Sequence, residues 1–115
     1  MKEKRNIRDE EKNLIVYLLY TLELSITDYP INEYVEEYGE PGMGSIGMAA
    51  NEASEYDGDL AQAEYIDSDN TPVIITLTKD KNNRLLDLDF WKLDFSKLIT
   101  YPKPENIILK NISNT

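Results

Sequence analysis

The chain of 115 residues has no cysteine and no histidine. These two absences remove Ser-His-Asp and Cys-His nucleophile machinery, thiolate and imidazole metal sites, and disulfides. No apolar run approaches the roughly 20 residues that a membrane helix requires. Met1-Lys-Glu-Lys-Arg5 leads into no signal-peptide core. A cytoplasmic protein without membrane contact is expected. Basic residues are scarce, 12 Lys and Arg against 22 Asp and Glu, for a net charge of −10. Nucleic-acid phosphates would be repelled by such a chain, so no nucleic-acid partner is expected. No cofactor and no metal are expected either.

The positive charge that exists is displaced to the ends. Residues 1–12 carry a net +1 and residues 79–115 a net +2, whereas residues 13–78 hold thirteen acids and no base. The acids of this middle segment stand singly or in pairs among apolar residues, as in Glu33-Tyr-Val-Glu36-Glu37-Tyr38. A disordered acidic tail carries its charges in blocks instead. A hydrophobic fraction of 41% supplies a packed core for one domain. That domain is placed at residues 1–104, with 105–115 as a tail able to add one short edge strand.

Asp9 to Leu22 reads as an amphipathic helix. Leu14, Ile15, Leu18, Leu19 and Leu22 form one stripe on a 3.6-residue period. Asp9, Glu10 and Glu11 occupy the dipole-favoured first turn, and Asp9 is the better chemical N-cap beside Arg8. Beyond Asp28-Tyr-Pro30 the pattern turns to strands. These are expected at Ile31–Tyr38, Ser45–Ala50, Leu60–Asp67, Val73–Thr78 and Leu85–Trp91, with a turn over Asn51–Asp59. Short turns join the last three strands into an antiparallel meander. The expected fold class is α+β, with the N-terminal helix packed on an antiparallel sheet of about four to six strands.

Three motifs carry candidate chemistry. Gly42-Met-Gly44-Ser45-Ile-Gly47 matches G-x-G-x-x-G formally, but acids precede it, Pro41 sits in the turn and no βαβ unit follows. It reads as a tight glycine turn rather than a dinucleotide cradle. Asp57-Gly-Asp59 and Asp67-Ser-Asp69 resemble pieces of a calcium loop. Counted from Asp67, however, positions six and twelve are Pro72 and Thr78, where the loop needs Gly and Glu. In Leu85-Leu-Asp-Leu-Asp-Phe-Trp91, alternation places Leu86, Leu88 and Phe90 on one face and Leu85, Asp87, Asp89 and Trp91 on the other. The first face reads as core. The second presents two carboxylates about 7 Å apart beside a large aromatic, unless the helix covers it.

Gly42-Met-Gly-Ser45, the run Leu88-Asp-Phe-Trp-Lys-Leu-Asp-Phe95 and Tyr101-Pro102 together resemble a family of small bacterial proteins of unknown function. The helix start Arg5-Asn-Ile7-Arg-Asp-Glu-Glu11 fits the same family, so the resemblance spans roughly residues 5–102. It implies a fold-level relative and carries no activity.

With no catalytic residues evident, the expected function is that of a non-catalytic interaction protein, of inhibitor or immunity type, that engages a basic partner. Glu33, Glu36 and Glu37 are its candidate contacts. The alternative is a small-ligand binding module built on Asp87, Asp89 and Trp91, with Gly42, Gly44 and Ser45 close by. A paired-carboxylate hydrolase has least support, because nothing supplies a tuned acid and base. The expected state is a monomer or weak homodimer.

Overall fold

A computed structural model describes residues 4–48 and 54–110. In chain order the elements are β1 (Lys4–Asn6), α1 (Asp9–Thr21), β2 (Tyr34–Glu37), β3 (Ile46–Gly47), β4 (Tyr56–Ile66), β5 (Pro72–Asp80), β6 (Leu85–Lys92) and β7 (Ile107–Lys110). All strands join one antiparallel sheet in the order β1-β2-β3-β6-β5-β4-β7. The class is broadly α+β, but seven strands replace the expected four to six. The miscount has a physical source. β1 is a three-residue polar stretch with no hydrophobic alternation, and it becomes a strand only because β2 offers a free edge: Arg5 pairs with Val35. β7 is the short edge strand that the 105–115 tail is able to add, paired on β4 with Ile107 opposite Tyr65.

The helix begins at Arg8 rather than Asp9 as N-cap. Arginine offers no acceptor for the orphan amides. Instead the Glu11 carboxylate reaches back and accepts from the Arg8 amide at 2.8 Å, the second half of a capping box. Arg5 holds that carboxylate in place with two bonds of 3.0 and 2.7 Å. Leu14, Ile15, Leu18 and Leu19 are buried against Val35, Ile46, Ala63, Ile75, Leu77, Leu88 and Phe90 of the sheet. Burial of each such side chain is worth about 1.5–3 kcal/mol, which is why the stripe was visible in the sequence.

Two further expectations are corrected. Tyr56–Asp59 belongs to β4 rather than to a turn. Its register against β5 shifts twice between Tyr56 and Ala61, and Gly58 takes φ +125, so turn-like residues serve an irregular strand. Residues 51–53 of the expected turn, and 49–50 of the expected strand Ser45–Ala50, lie outside the described residues. On β6, Leu85 is buried in place of Leu86. The register between β5 and β6 slips between Leu77 and Lys79, and a one-residue slip exchanges the two faces.

Past β6 the chain is held by a buried ion pair. Lys92 is 1% exposed and donates to Asp67 Oδ2 at 2.8 Å, to Asp69 Oδ2 at 2.8 Å and to the Lys97 carbonyl at 3.0 Å. All three ammonium protons therefore have acceptors. Asp67 also accepts from the amides of Ser68, Ile99 and Thr100 at 2.7, 2.8 and 3.0 Å. The fragment that resembled a calcium loop thus receives the chain's own ammonium group. Burial would raise the Asp67 carboxyl, but the Ile99 amide, Lys92 and the Ser68 and Thr100 amides outweigh it and hold it down to about 2. Because the folded value lies below the ordinary 3.8, this group contributes its stability above that value and loses it as pH falls toward 2. An acid titration followed by far-UV circular dichroism should show stability declining between about pH 4 and pH 2. The Asp67→Asn variant, less stable throughout, should show a flatter profile over that window; an unchanged profile would remove Asp67 from the acid transition.

Candidate functional site

The helix covers one face of the sheet, and alternation sends every second side chain to the other. There Tyr34, Ile66, Ile108 and Trp91 are exposed, while Glu36, Ile74, Thr76, Asp87 and Asp89 are half-buried. Among the described residues no second layer lies over this face. It is therefore the uncovered face, and it carries Asp87, Asp89 and Trp91.

Strand pairing brings further groups to them. Gly47 of β3 stands opposite Glu36 on one side and Asp87 on the other. The three residues thus form one row across the sheet, with Glu36 and Asp87 roughly 10 Å apart at Cα. With no side chain in the middle, the row has a notch. A Cβ at Gly47 would lie 3.5 Å from Asp87 Oδ1 and 3.9 Å from the Tyr38 ring, so the notch is bordered by a carboxylate and an aromatic. Next along β6, Asp89 Oδ1 accepts from the Tyr38 hydroxyl at 2.9 Å and from Ser45 Oγ at 3.4 Å. Ser45 is itself buried and accepts from the Phe90 amide at 2.9 Å.

Lys4 of β1 stands opposite Glu36 at the outer end of this row, but neither Glu36, Asp87 nor Asp89 forms an ion pair among the described residues. Burial first, and then the neighbouring Asp89 charge, push the Asp87 carboxyl above its ordinary value. Burial and the charges of Asp87 and Asp89 raise the Tyr38 phenol as well, which keeps it a hydrogen-bond donor. Ionised Asp87 is therefore disfavoured by the fold, and a cation above the notch would offset that cost.

The other predicted residues are distributed differently. Glu37 points to the opposite face from Glu36, where it accepts from Arg5 Nε at 2.9 Å; Glu33 is exposed in the segment leading into β2. Gly42 and Gly44, at φ +84 and +99, shape the β2–β3 connection. A Cβ on Gly44 would meet Phe90 and Leu98 at 3.1 Å. Together these glycines line a cleft of about 430 Å³ with Arg5, Glu11 and Tyr101, away from the notch. Clefts of about 440 and 350 Å³ lie beside Met48 and Arg84 and beside Tyr65 and Ile108. None of the three is lined by Asp87, Asp89 or Trp91. Sequence reasoning missed Tyr38 and the use of Gly47. The alternation Tyr34, Glu36, Tyr38 was the available signal for the first.

The architecture is thus that of a single helix on a seven-stranded antiparallel sheet, with one face left open and acidic. The chain belongs to the family described as Domain of unknown function (DUF6984), whose model matches residues 4–102. No curated protein and no solved structure matches it. Among the described residues no helix is long and apolar enough to cross a membrane.

Proposed function

We propose that this protein is a non-catalytic interaction protein that engages a basic partner through the uncovered face of its sheet. The observation that carries the reading is the row Glu36–Gly47–Asp87, two carboxylates flanking a side-chain-free position. Lys4 stands opposite Glu36 on its outer side, but among the described residues no ion pair closes on Glu36, Asp87 or Asp89. An ammonium or guanidinium group from a partner fits there, with Asp89 and the Trp91 ring alongside. A cation meeting several carboxylates on a low-dielectric surface gains more than at an ordinary exposed pair. A role as inhibitor or immunity protein suits this chemistry, because such a protein works by occupying a basic surface and needs no reactive group. Gly42, Gly44 and Ser45 serve by fixing the β2–β3 connection under Asp89.

Two variants separate the site from the fold. Gly47 carries no left-handed φ and an added Cβ would sit at ordinary contact distance, so Gly47→Ala should fold with an unchanged or higher melting temperature while filling the notch. Asp87→Asn removes a charge that the folded state disfavours and should likewise not destabilise. In affinity capture from the source cell at about 0.15 M salt, the wild-type protein should retain a basic protein in stoichiometric amount, identified by mass spectrometry. Both variants should retain markedly less of it. Equal capture by the wild type and both variants would sink the reading, as would capture only of abundant basic proteins that wash off at that salt.

A further inference from the structure

The turn that ends β6 is built from residues that no exposed turn needs. Trp91 is 50% exposed, Leu93 44% and Phe95 73%. Phe95 also takes φ +64, the left-handed region that glycine and asparagine enter readily and a bulky side chain enters under strain. Burial does not compensate this strain, since most of the Phe95 surface faces solvent. The turn is nonetheless firmly tied. The Phe95 amide donates to the Lys92 carbonyl at 2.9 Å. Asp94 Oδ1 accepts from the Ser96 amide at 2.9 Å and its hydroxyl at 2.6 Å. Lys92, anchored on Asp67, donates to the Lys97 carbonyl at 3.0 Å. Neither the core nor the turn geometry calls for an aromatic at position 95. A strained apolar side chain on a rigid exposed turn is the kind of feature that a bound partner buries.

Charge decides what that partner is. A second copy in a symmetric contact would set Asp89 and Asp94 against their own counterparts, and a neutral apolar surface would desolvate them without supplying a cation. We infer that Trp91, Leu93 and Phe95 form the apolar anchor for the basic partner. The segment they accept is one in which arginine or lysine alternates with large apolar residues. Its apolar side chains cover the ridge, and its cations lie over the Trp91 ring and toward Asp89 and the notch. This inference rests on the function proposed above and adds the anchor and the composition of the segment it holds.

Trp91 is the chain's single tryptophan, so its fluorescence reads the site directly. The probes are two synthetic octapeptides, one alternating arginine with leucine and one alternating arginine with serine. At about 0.15 M salt the Arg–Leu peptide should shift Trp91 emission to the blue and bind at least about tenfold more tightly than the Arg–Ser peptide. Phe95→Gly should bind the Arg–Leu peptide about tenfold more weakly, while its melting temperature stays the same or rises by a few degrees through relief of strain. The inference is overturned if the wild type binds neither peptide, if both bind equally, or if Phe95→Gly keeps full affinity. It is equally overturned if Phe95→Gly melts well below the wild type, which would make the ridge structural. Sedimentation showing a wild-type dimer that Phe95→Gly abolishes would assign the ridge to a second copy instead. Should Gly47→Ala and Asp87→Asn weaken binding while Phe95→Gly does not, the ridge is wrong and the notch stands. If none of the three weakens it, both readings fail.

Discussion

Replacing Lys92 by alanine should lower stability by about 3–5 kcal/mol, because removing one partner of a buried ion pair leaves the other uncompensated. Asp67, with its side chain fully buried, would keep its charge for the three backbone amides but lose its cation, and the Lys97 carbonyl would lose its donor. The damage should spread beyond the site. Asp67 and Lys92 together tie the segment 97–100 to the β4–β5 turn, and that segment carries the residues leading to Tyr101 and β7. A loss of this size is a large part of the 5–15 kcal/mol that holds a typical domain together, so the variant should be only partly folded at 37 °C. Urea denaturation of the single variants and of Lys92→Met/Asp67→Asn provides the check. The double variant should recover part of the loss, since it removes both charges at once. A loss below about 1 kcal/mol in Lys92→Ala would mean that water screens the pair.

Phe90→Ala should cost a similar amount, about 3–5 kcal/mol, as truncation of a buried aromatic does. Phe90 is 4% exposed, its ring lies 5.4 Å from that of Tyr101 at 47°, and Gly44 approaches it closely. Its neighbour Trp91 is larger but half in solvent, and Trp91→Ala should cost less than about 1 kcal/mol. The two variants, one residue apart, therefore report the two faces of a single strand in the same denaturation experiment. Similar losses in both would mean that the outer face is covered, and the proposed interface would lose its Trp91 contact.

How far these features were legible depends on the range over which they act. The helix was legible because its buried stripe, Leu14 to Leu19, lies within six residues and its first-turn acids are adjacent. Leu22, expected on that stripe, follows the helix end and is exposed. Phe90 and Leu88 were assigned to the core from alternation alone, whereas Leu85 was not, because the slip that turns it inward belongs to the pairing with β5. For the site, Asp87, Asp89 and Trp91 shared a face in the sequence and do so in the fold. Glu36 and Glu37, read together as partner contacts, are separated by the same alternation, one on the uncovered face beside Gly47 and the other against Arg5.

By itself the sequence determined that the chain is acidic, lacks imidazole and thiol chemistry, and carries one amphipathic helix near its start followed by strands. Composition and short-period hydrophobicity set these properties, and they need no knowledge of distant neighbours. The tertiary structure decided which groups meet. Lys92 finds Asp67 across 25 residues and Tyr38 finds Asp89 across 51, while Glu36, Gly47 and Asp87 come into one row from three strands. Strand order and register place such groups side by side. Those depend on the free energy of burying the whole sheet face at once, which no local window of residues contains.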